Sequence, residues 1–150
     1  MKAPGQDELW EMVAGAREGV LATIGADGLP HLSNVYYITE PPEGAADGAR
    51  IIRVSTTTTR AKGRNLLRDP RAVLHVAGAD FFNYAVAEGT VTLDEAKTPG
   101  DRATDELYAV DRVFNGEQER PAFDAKMIRD RRVIVRIDVA KLYGLVFRGR

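Results

Sequence analysis

The chain has 150 residues, a length typical of one domain with its own hydrophobic core. Hydrophobic residues make up 44% and charged residues 29%, which indicates a globular chain rather than a disordered one. The formal net charge of -1 argues against broad nucleic-acid binding, and the absence of cysteine excludes disulfides, thiolate metal sites and a cysteine nucleophile.

The histidine count and the apolar runs exclude further classes. The chain contains two histidines, which leaves few candidate ligands for a metal cluster and few candidate bases for a serine triad. No apolar run approaches the length of a membrane span, and residues 1–8 lack the apolar region of a signal peptide. We therefore expect a cytoplasmic protein that binds no metal, membrane or nucleic acid.

The first predicted elements are a helix and a hairpin. Apolar spacing predicts a helix over 7–17. Strands are predicted over 20–24 and 30–37, and the turn Ala26-Asp27-Gly28 joins them as a hairpin.

A breaker-rich loop and a strand–helix unit follow. The stretch 41–48 is predicted as a loop and 50–55 as the third strand. A helix is predicted over 59–68, where Asp69-Pro70 ends it.

The second half alternates in the same way. Strands are predicted over 72–77 and 84–93, and Thr98 is predicted to cap the next helix. The apolar stripe of that helix consists of Ala103, Leu107, Val110 and Phe114. A short helix over 121–130 precedes the clearest strand, over 133–139.

These elements predict a mainly β fold in a single domain over 1–150. The six short strands with hairpin-like connections favour a closed or nearly closed antiparallel barrel whose open ends are covered by peripheral helices. Alternating strands and helices would also suit a parallel α/β sheet, but the tight turn between the first two strands favours antiparallel pairing.

The segment over 55–66 has the composition of a phosphate-binding site. Hydroxyl side chains at the end of a strand run into Arg60, Lys62 and Arg64 near a helix start. Thr58 or Thr59 would cap this helix or bind an anion, because the first turn has unpaired N–H groups. A threonine-rich edge strand leading into a solvated basic helix explains the composition equally well.

Polar and aromatic residues in two strands are further candidates. Ser33 and Asn34 lie inside a strand that is otherwise apolar, which suggests contact with a ligand or a half-exposed strand. Aromatic side chains near Tyr84 would stack on a planar ring, cover a dimer interface or pack in the core. His75 is interpreted as a structural residue, and Arg129 as a candidate for an anionic ligand tail.

The ordered motifs resemble a known family over nearly the whole chain. They are similar to the pyridoxamine-phosphate-oxidase-like split barrels and, within them, to the actinobacterial oxidoreductases that use the deazaflavin coenzyme F-420, group B. The motifs are LATI, DGLP and LSNV over 21–35, TRAKGRNL and DPRA over 59–72, YAVAEGT over 84–90, and DRRV and YGL over 130–145.

The resemblance implies a split-barrel homodimer with cofactor sites at its interface. It implies that the cofactor phosphate binds Arg60 and Lys62, with Asn65 nearby. The resemblance also implies that the strand residues Ser33, Asn34 and Val35 lie along the deazaflavin ring and that Ser55 and Thr56 lie near the ribityl chain. Tyr84 would come from the neighbouring subunit, and Arg129 would meet the oligoglutamate tail.

The expected activity is hydride transfer between reduced F-420 and a conjugated small molecule such as a biliverdin, quinone or enone. No proton donor is assigned; His31 and Tyr36 are candidates. The alternatives are an FMN-dependent enzyme of the pyridoxamine-phosphate-oxidase type, an F-420-binding protein without turnover, and a dimeric barrel that binds no phosphate. The segment over 60–66 lacks the acidic residue that the FMN branch tends to carry before its leucine.

Overall fold

The computed structural model describes residues 3–40 and 49–147, and the loop predicted over 41–48 lies outside the described residues. The elements in chain order are α1 (Gln6–Ala14), β1 (Glu18–Ile24), β2 (Pro30–Tyr36), β3 (Ile51–Thr57), α2 (Ala61–Arg68), β4 (Arg71–Ala77), β5 (Tyr84–Glu95), α3 (Arg102–Asn115), α4 (Arg120–Arg129) and β6 (Arg132–Leu145).

The six strands form one antiparallel sheet in the order β2-β1-β4-β5-β6-β3. The prediction of a mainly β, six-stranded antiparallel fold is confirmed, and the parallel alternative is wrong because every ladder is antiparallel. The β1–β2 hairpin turns where predicted, and Gly28 takes a φ of +86 that side-chain-bearing residues rarely adopt.

The sheet curls until its two edge strands meet. Just after β2, Ile38 forms an antiparallel bridge with Arg53 of β3. The Ile38 N–H donates to the Arg53 carbonyl at 3.2 Å, and the Arg53 N–H donates back at 2.9 Å. Among the described residues this bridge is the backbone pairing between the two edges, so the barrel is closed at one point and split beyond it.

The barrel interior is the main hydrophobic core. It contains the inward side chains of the strands, and α1 adds Leu9 and Val13. The Tyr37 hydroxyl donates to the Val13 carbonyl at 2.6 Å, and burial raises the pKa of this phenol. Helix α1 therefore closes one end of the barrel, as predicted for the peripheral helices.

Helices α3 and α4 pack on the outside of the barrel instead of closing an end. Leu107, Val110, Phe123 and Met127 form a second core with Ile134 of β6. These helices cover the outer face of β3 and β6.

A buried carboxylate attaches α3 to this face. Arg53 of β3 and Arg136 of β6 are register partners, and both donate to Glu106, which is 1% exposed. Burial raises the pKa of Glu106, but the hydrogen bonds from Arg136 and Arg53 outweigh it, and the pKa lies below its ordinary value. Asp94 of β5 also accepts from Arg136, at 2.8 Å.

Some predicted boundaries are wrong. The N-cap of α3 is Asp101 rather than Thr98, because the Asp101 carboxylate accepts from the Thr104 N–H at 2.8 Å and from the Thr98 N–H at 3.0 Å. Strands β5 and β6 extend to Glu95 and Leu145, beyond their predicted ends, since they pair with each other along their whole length. Within residues 3–40 and 49–147, no helix is long and apolar enough to span a bilayer.

Glu106→Gln should lower the free energy of unfolding by roughly 3–5 kcal/mol, because it leaves two arginine side chains without their buried anion. Urea unfolding measures this loss. The matched control is Glu95→Gln, which removes a surface pair with Arg131 at 3.4 Å and should cost roughly 0–1 kcal/mol.

The same variant should change the pH dependence of stability. Since the folded pKa of Glu106 lies below its ordinary value, its contribution is present above the unfolded pKa and is lost as pH falls through the folded pKa. Glu106→Gln should remove that part of the acid transition. An equal loss of stability in both variants would contradict the role given to Glu106.

Candidate functional site

The split between β2 and β3 opens into a pocket, here called the split pocket. If the register of the Ile38–Arg53 bridge continued, Tyr36 would lie opposite Ser55. The strands separate there instead, and a cavity of about 610 Å³ lies between them and the α3–α4 pair. The unpaired edges of a sheet and a cavity therefore meet at one place.

The split pocket brings together residues that lie far apart in sequence. Four of the residues predicted to bind the cofactor line it: Asn34, Val35, Ser55 and Lys62. They come from β2, β3 and α2, so the site depends on the meeting of the two edge strands.

Helix α2 approaches the pocket with an uncapped N-terminus. It begins at Ala61, Arg60 is its N-cap residue, and no side chain caps it. The prediction that Thr58 or Thr59 caps this helix is wrong, because the Thr59 hydroxyl shares a hydrogen bond of 2.9 Å with the Thr57 hydroxyl instead. The first-turn N–H groups thus have no side-chain acceptor, as at an anion-binding helix start.

Gly63 sets the position of this helix. A Cβ at Gly63 would lie 2.1 Å from the Thr57 carbonyl oxygen, so the helix packs directly against the end of β3. This close packing places Lys62 at the split pocket.

Three cations lie near one another at this end of the pocket: Lys62 and Arg132 line it, and the charge of Arg60 acts on both although Arg60 does not line it. Arg132, at the start of β6, lines the pocket and donates to the Ser55 hydroxyl at 2.6 Å. Burial, then Arg60 and Arg132, lower the pKa of Lys62. Burial and Arg60 also lower the pKa of Arg132, although Asp130 and Asp111 oppose this. The folded protein therefore holds positive charges near one another and partly out of water.

The three cations have no carboxylate bonded to them. In the described part of the chain, Arg60, Lys62 and Arg132 form no salt bridge, although arginines such as Arg53, Arg120 and Arg136 do. Three exposed helical arginines among the described residues, Arg64, Arg68 and Arg112, also form none. Arg60 is exposed, whereas Lys62 and Arg132 are partly buried. Partly buried cations without a bonded anion favour an anionic ligand. Together with the Ser55 hydroxyl and the uncapped helix, they form a site suited to phosphate.

The other wall of the pocket is apolar and aromatic. Leu107, Val110 and Met127 form its base, and they belong to the second core. The rings of Tyr36 and Phe114 stack with centroids 3.8 Å apart and planes inclined by 27°. The pocket is also lined by Asp111, Asn115, Lys126 and Asp130. The pocket thus joins Lys62 and Arg132 to an apolar base, which suits an amphipathic ligand with a phosphate.

Two further predicted residues carry buried hydroxyls without partners. Among the described residues, Ser33 Oγ and Thr56 Oγ1 are the buried side-chain polar atoms that have no hydrogen-bond partner. Neither residue lines the split pocket, although Val35 and Val54, two residues away on the same strands, do. Buried hydroxyls of this kind call for a ligand or water.

The remaining predicted residues lie away from the pocket. Asn65 donates to the Thr23 hydroxyl at 3.0 Å and accepts from Arg68 at 2.7 Å, so its amide holds α2 against the barrel. Tyr84 stacks on His75 with centroids 5.5 Å apart. Arg129 is exposed and pairs with Asp130 at 3.4 Å.

Arg132 and the α3–α4 wall of the pocket were not predicted from the sequence. Arg132 belongs to the charged run over 129–132, whose composition is that of solvated or capping charges, and within this run the sequence pointed to Arg129. Its register partner is Thr57, at the end of the threonine-rich strand, and this pairing is the signal that identifies it. A local pattern does not reveal a pairing between strands so far apart in sequence.

A model of the pyridoxamine 5'-phosphate oxidase family matches residues 6–145. The chain belongs to this family. The split-barrel type of fold expected from the resemblance is thereby confirmed, and members of this fold family bind flavin or deazaflavin cofactors.

Solved structures of several proteins are similar over most of the chain. The conserved hypothetical protein Rv2991 from Mycobacterium tuberculosis is 25% identical, with a TM-score of 0.70, and the match covers 98% of this chain and 92% of that one. An F420 reductase is 26% identical, with a TM-score of 0.59 and coverage of 84% and 88%. General Stress Protein 26 from Bacillus anthracis, at 16% identity and TM-score 0.57, covers 92% of both chains and shows the fold alone.

Inorganic phosphate should raise the thermal midpoint of the wild type, because an anion at the three cations stabilises the folded state by mass action. Arg132→Gln and Lys62→Gln should each lose most of this rise in a thermal-shift assay. Without phosphate, Lys62→Gln should not lower the midpoint, since burial and the neighbouring cations disfavour the charge of Lys62.

Arg131→Gln is the matched control for the phosphate experiment. Arg131 adjoins Arg132 in sequence but is exposed and pairs with Glu95. This variant should keep the full response to phosphate. A similar loss in Arg131→Gln and Arg132→Gln would contradict a localised anion site.

Proposed function

We propose that the chain is an oxidoreductase that binds coenzyme F-420 in the split pocket and reduces a conjugated small molecule. The observation that carries the proposal is the cluster of Arg60, Lys62 and Arg132, which has no bonded carboxylate and lies beside the unpaired edge of β2. The similarity to an F420 reductase supports the choice of cofactor.

In this proposal the cations bind the cofactor phosphate together with the Ser55 hydroxyl and the N-terminus of α2. Asn34 and Val35 lie along the deazaflavin ring, and the backbone N–H of Asn34, on the edge of β2 that faces β3, stabilises negative charge on a ring carbonyl oxygen. When bound, the cofactor supplies the hydride. The α3–α4 wall excludes water from one side of the pocket.

The other predicted contacts remain predictions of the proposal. Ser33 and Thr56 would reach the ring and the ribityl chain, where their buried hydroxyls lack partners. Arg129 would meet an anionic tail outside the pocket. Asn65 would act through the position of α2 rather than by contact, since both ends of its amide are occupied. The cytoplasmic location also stays a prediction.

An FMN-dependent enzyme is the second candidate. The family match favours it, because the family is that of pyridoxamine 5'-phosphate oxidase. A phosphate site alone suits both cofactors, since both carry a phosphate on a ribityl chain.

The proposal includes a homodimer formed through the outer face of the sheet. Large apolar side chains are exposed on or beside this face: Leu32 at 62%, Tyr36 at 53%, Phe81 at 91%, Phe82 at 61% and Tyr143 at 42%. A monomer rarely exposes so much apolar surface in one region. A second copy would cover it symmetrically and would bring Tyr84 to the neighbouring cofactor.

Wild-type protein should quench F-420 fluorescence with a lower Kd than it shows for FMN. The double variant Arg60→Ala, Lys62→Ala should weaken F-420 binding by roughly 30-fold or more, because it removes two charge-assisted contacts. Arg129→Ala should have a much smaller effect. Equal F-420 affinity in the wild type and the double variant would contradict the proposed site, and tighter binding of FMN would favour the second candidate.

Sedimentation analysis should find a dimer. Phe81→Glu should shift the protein toward monomer, because a charge replaces an apolar side chain at the proposed interface. Leu67→Glu is the control, since Leu67 is 65% exposed on α2, away from the sheet face. A monomeric wild type, or equal dimer loss in both variants, would contradict the dimer.

A further inference from the structure

The split pocket is lined by carboxylates as well as by cations. Asp111 of α3 and Asp130, the C-cap residue of α4, lie in its lining with Lys62, Lys126 and Arg132. Burial lowers the pKa of Arg132, and Asp130 and Asp111 act in the opposite direction, so both carboxylates are close enough to act on this cation. The positive charge that the pocket presents to an anion is therefore reduced by these two negative charges.

Hydrogen bonds hold the Asp111 carboxylate in place. The Asn115 amide donates to one of its oxygens at 3.0 Å, and the Gln118 amide donates to the other. Among the residues that the structure describes, no lysine or arginine forms a salt bridge with Asp111. Because both partners are neutral amides, the negative charge of Asp111 stays at a fixed position in the pocket wall and is not cancelled there.

The turn after α4 places Asp130 beside the phosphate-binding cations. Arg131 has a φ of +53, a left-handed conformation that side-chain-bearing residues rarely adopt. Across this turn Asp130 and Arg132 both line the pocket, whereas Arg131 between them does not line it and pairs with Glu95. Asp130 contacts Arg129 at 3.4 Å, but a pair between exposed side chains is weak, so the charge of Asp130 still acts on the pocket.

Phosphate esters differ in the charge that they bring to such a pocket. FMN carries a phosphomonoester, whose second proton leaves with a pKa of about 6, so it is largely doubly charged at neutral pH. In coenzyme F-420 the phosphate is a diester, which has no second proton to lose and carries a single negative charge. Each carboxylate of the pocket repels both charges of a monoester but only the single charge of a diester.

We propose that Asp111 and Asp130 are specificity-determining residues, through which the split pocket selects a phosphodiester over a doubly charged phosphomonoester. The inference rests on the proposed function, because it takes the phosphate of F-420 as the ligand and names what separates that cofactor from FMN in this pocket. Lys62 and Arg132 bind the charge that both kinds of ester carry. The two carboxylates repel the second charge, which the monoester alone carries.

The test is a binding experiment with two pairs of ligands, each pair built on one ring system. One pair is the 5'-phosphate of the deazaflavin nucleoside and its methyl diester, and the other is FMN and its methyl diester. Within a pair the ring is the same and the charge differs, so the ratio of the monoester Kd to the diester Kd isolates the effect of the second charge. Fluorescence quenching measures each Kd.

Wild-type protein at pH 8 should bind each diester roughly 10-fold more tightly than its monoester, because the carboxylates oppose the second charge. As pH falls through about 6, the monoester takes up a proton and its Kd should approach that of the diester. The diester Kd, measured at each pH, accounts for titration of the pocket itself, including that of Lys62, whose pKa is lowered by burial and by its neighbouring cations.

Asp130→Asn and Asp111→Asn should each lower the Kd ratio at pH 8 roughly 3-fold, since each removes one of the two repulsive charges. Asp130 is exposed, so its variant tests the proposal without disturbing buried packing. Glu119→Gln is the matched control. Glu119 precedes α4, is exposed, makes no capping hydrogen bond and does not line the pocket, so this variant makes the same change in net charge and should keep the wild-type ratio.

A Kd ratio that is unchanged in both aspartate variants would overturn the inference, and so would a wild type that binds the monoesters more tightly at pH 8. An equal fall of the ratio in Glu119→Gln would also overturn it, because the effect would then come from overall charge. The proposed function fails separately, if both flavin ligands bind more tightly than both deazaflavin ligands; the ratio within the flavin pair then still decides the inference. If none of the four ligands binds, the inference is overturned as well.

Discussion

The split pocket depends on the buried ion cluster at Glu106. Arg53 and Arg136 are opposed across the β3–β6 ladder, and without an anion these two buried cations would repel each other. The Glu106 carboxylate satisfies both, and in doing so it fixes α3 against the sheet. Val110 and Phe114, one and two turns after Glu106 on α3, line the split pocket. The Glu106 ion cluster therefore positions this wall although Glu106 itself lies outside the pocket.

The functional site is a consequence of incomplete closure of the barrel. One backbone bridge joins β2 to β3, and the strands then diverge. Sheet edges normally have to be covered because their N–H and C=O groups are free to pair with other molecules. Here the free edges face a cavity lined with cations, so the same break that leaves the barrel open supplies ligand-binding groups.

The sequence predicted what depends on local chemistry. Alternation in the last strand, the Asp27-Gly28 turn and the Asp69-Pro70 stop all gave elements that the structure contains. It did not predict contacts made by distant strands: Arg132 reaches Ser55 only because β6 pairs with β3. The predicted helix caps were wrong because several side chains near each helix start can accept a hydrogen bond. At α3 the Asp101 carboxylate is the cap instead of Thr98. At α2 the Thr59 hydroxyl bonds to the Thr57 hydroxyl and not to the helix.

The most direct test of the central claim is a crystal structure of the protein with F-420. The account predicts the cofactor phosphate within hydrogen-bond distance of Lys62 and Arg132, with the ring along Asn34 and Val35. A phosphate bound elsewhere, with the three cations of the split pocket still free of an anion, would contradict it.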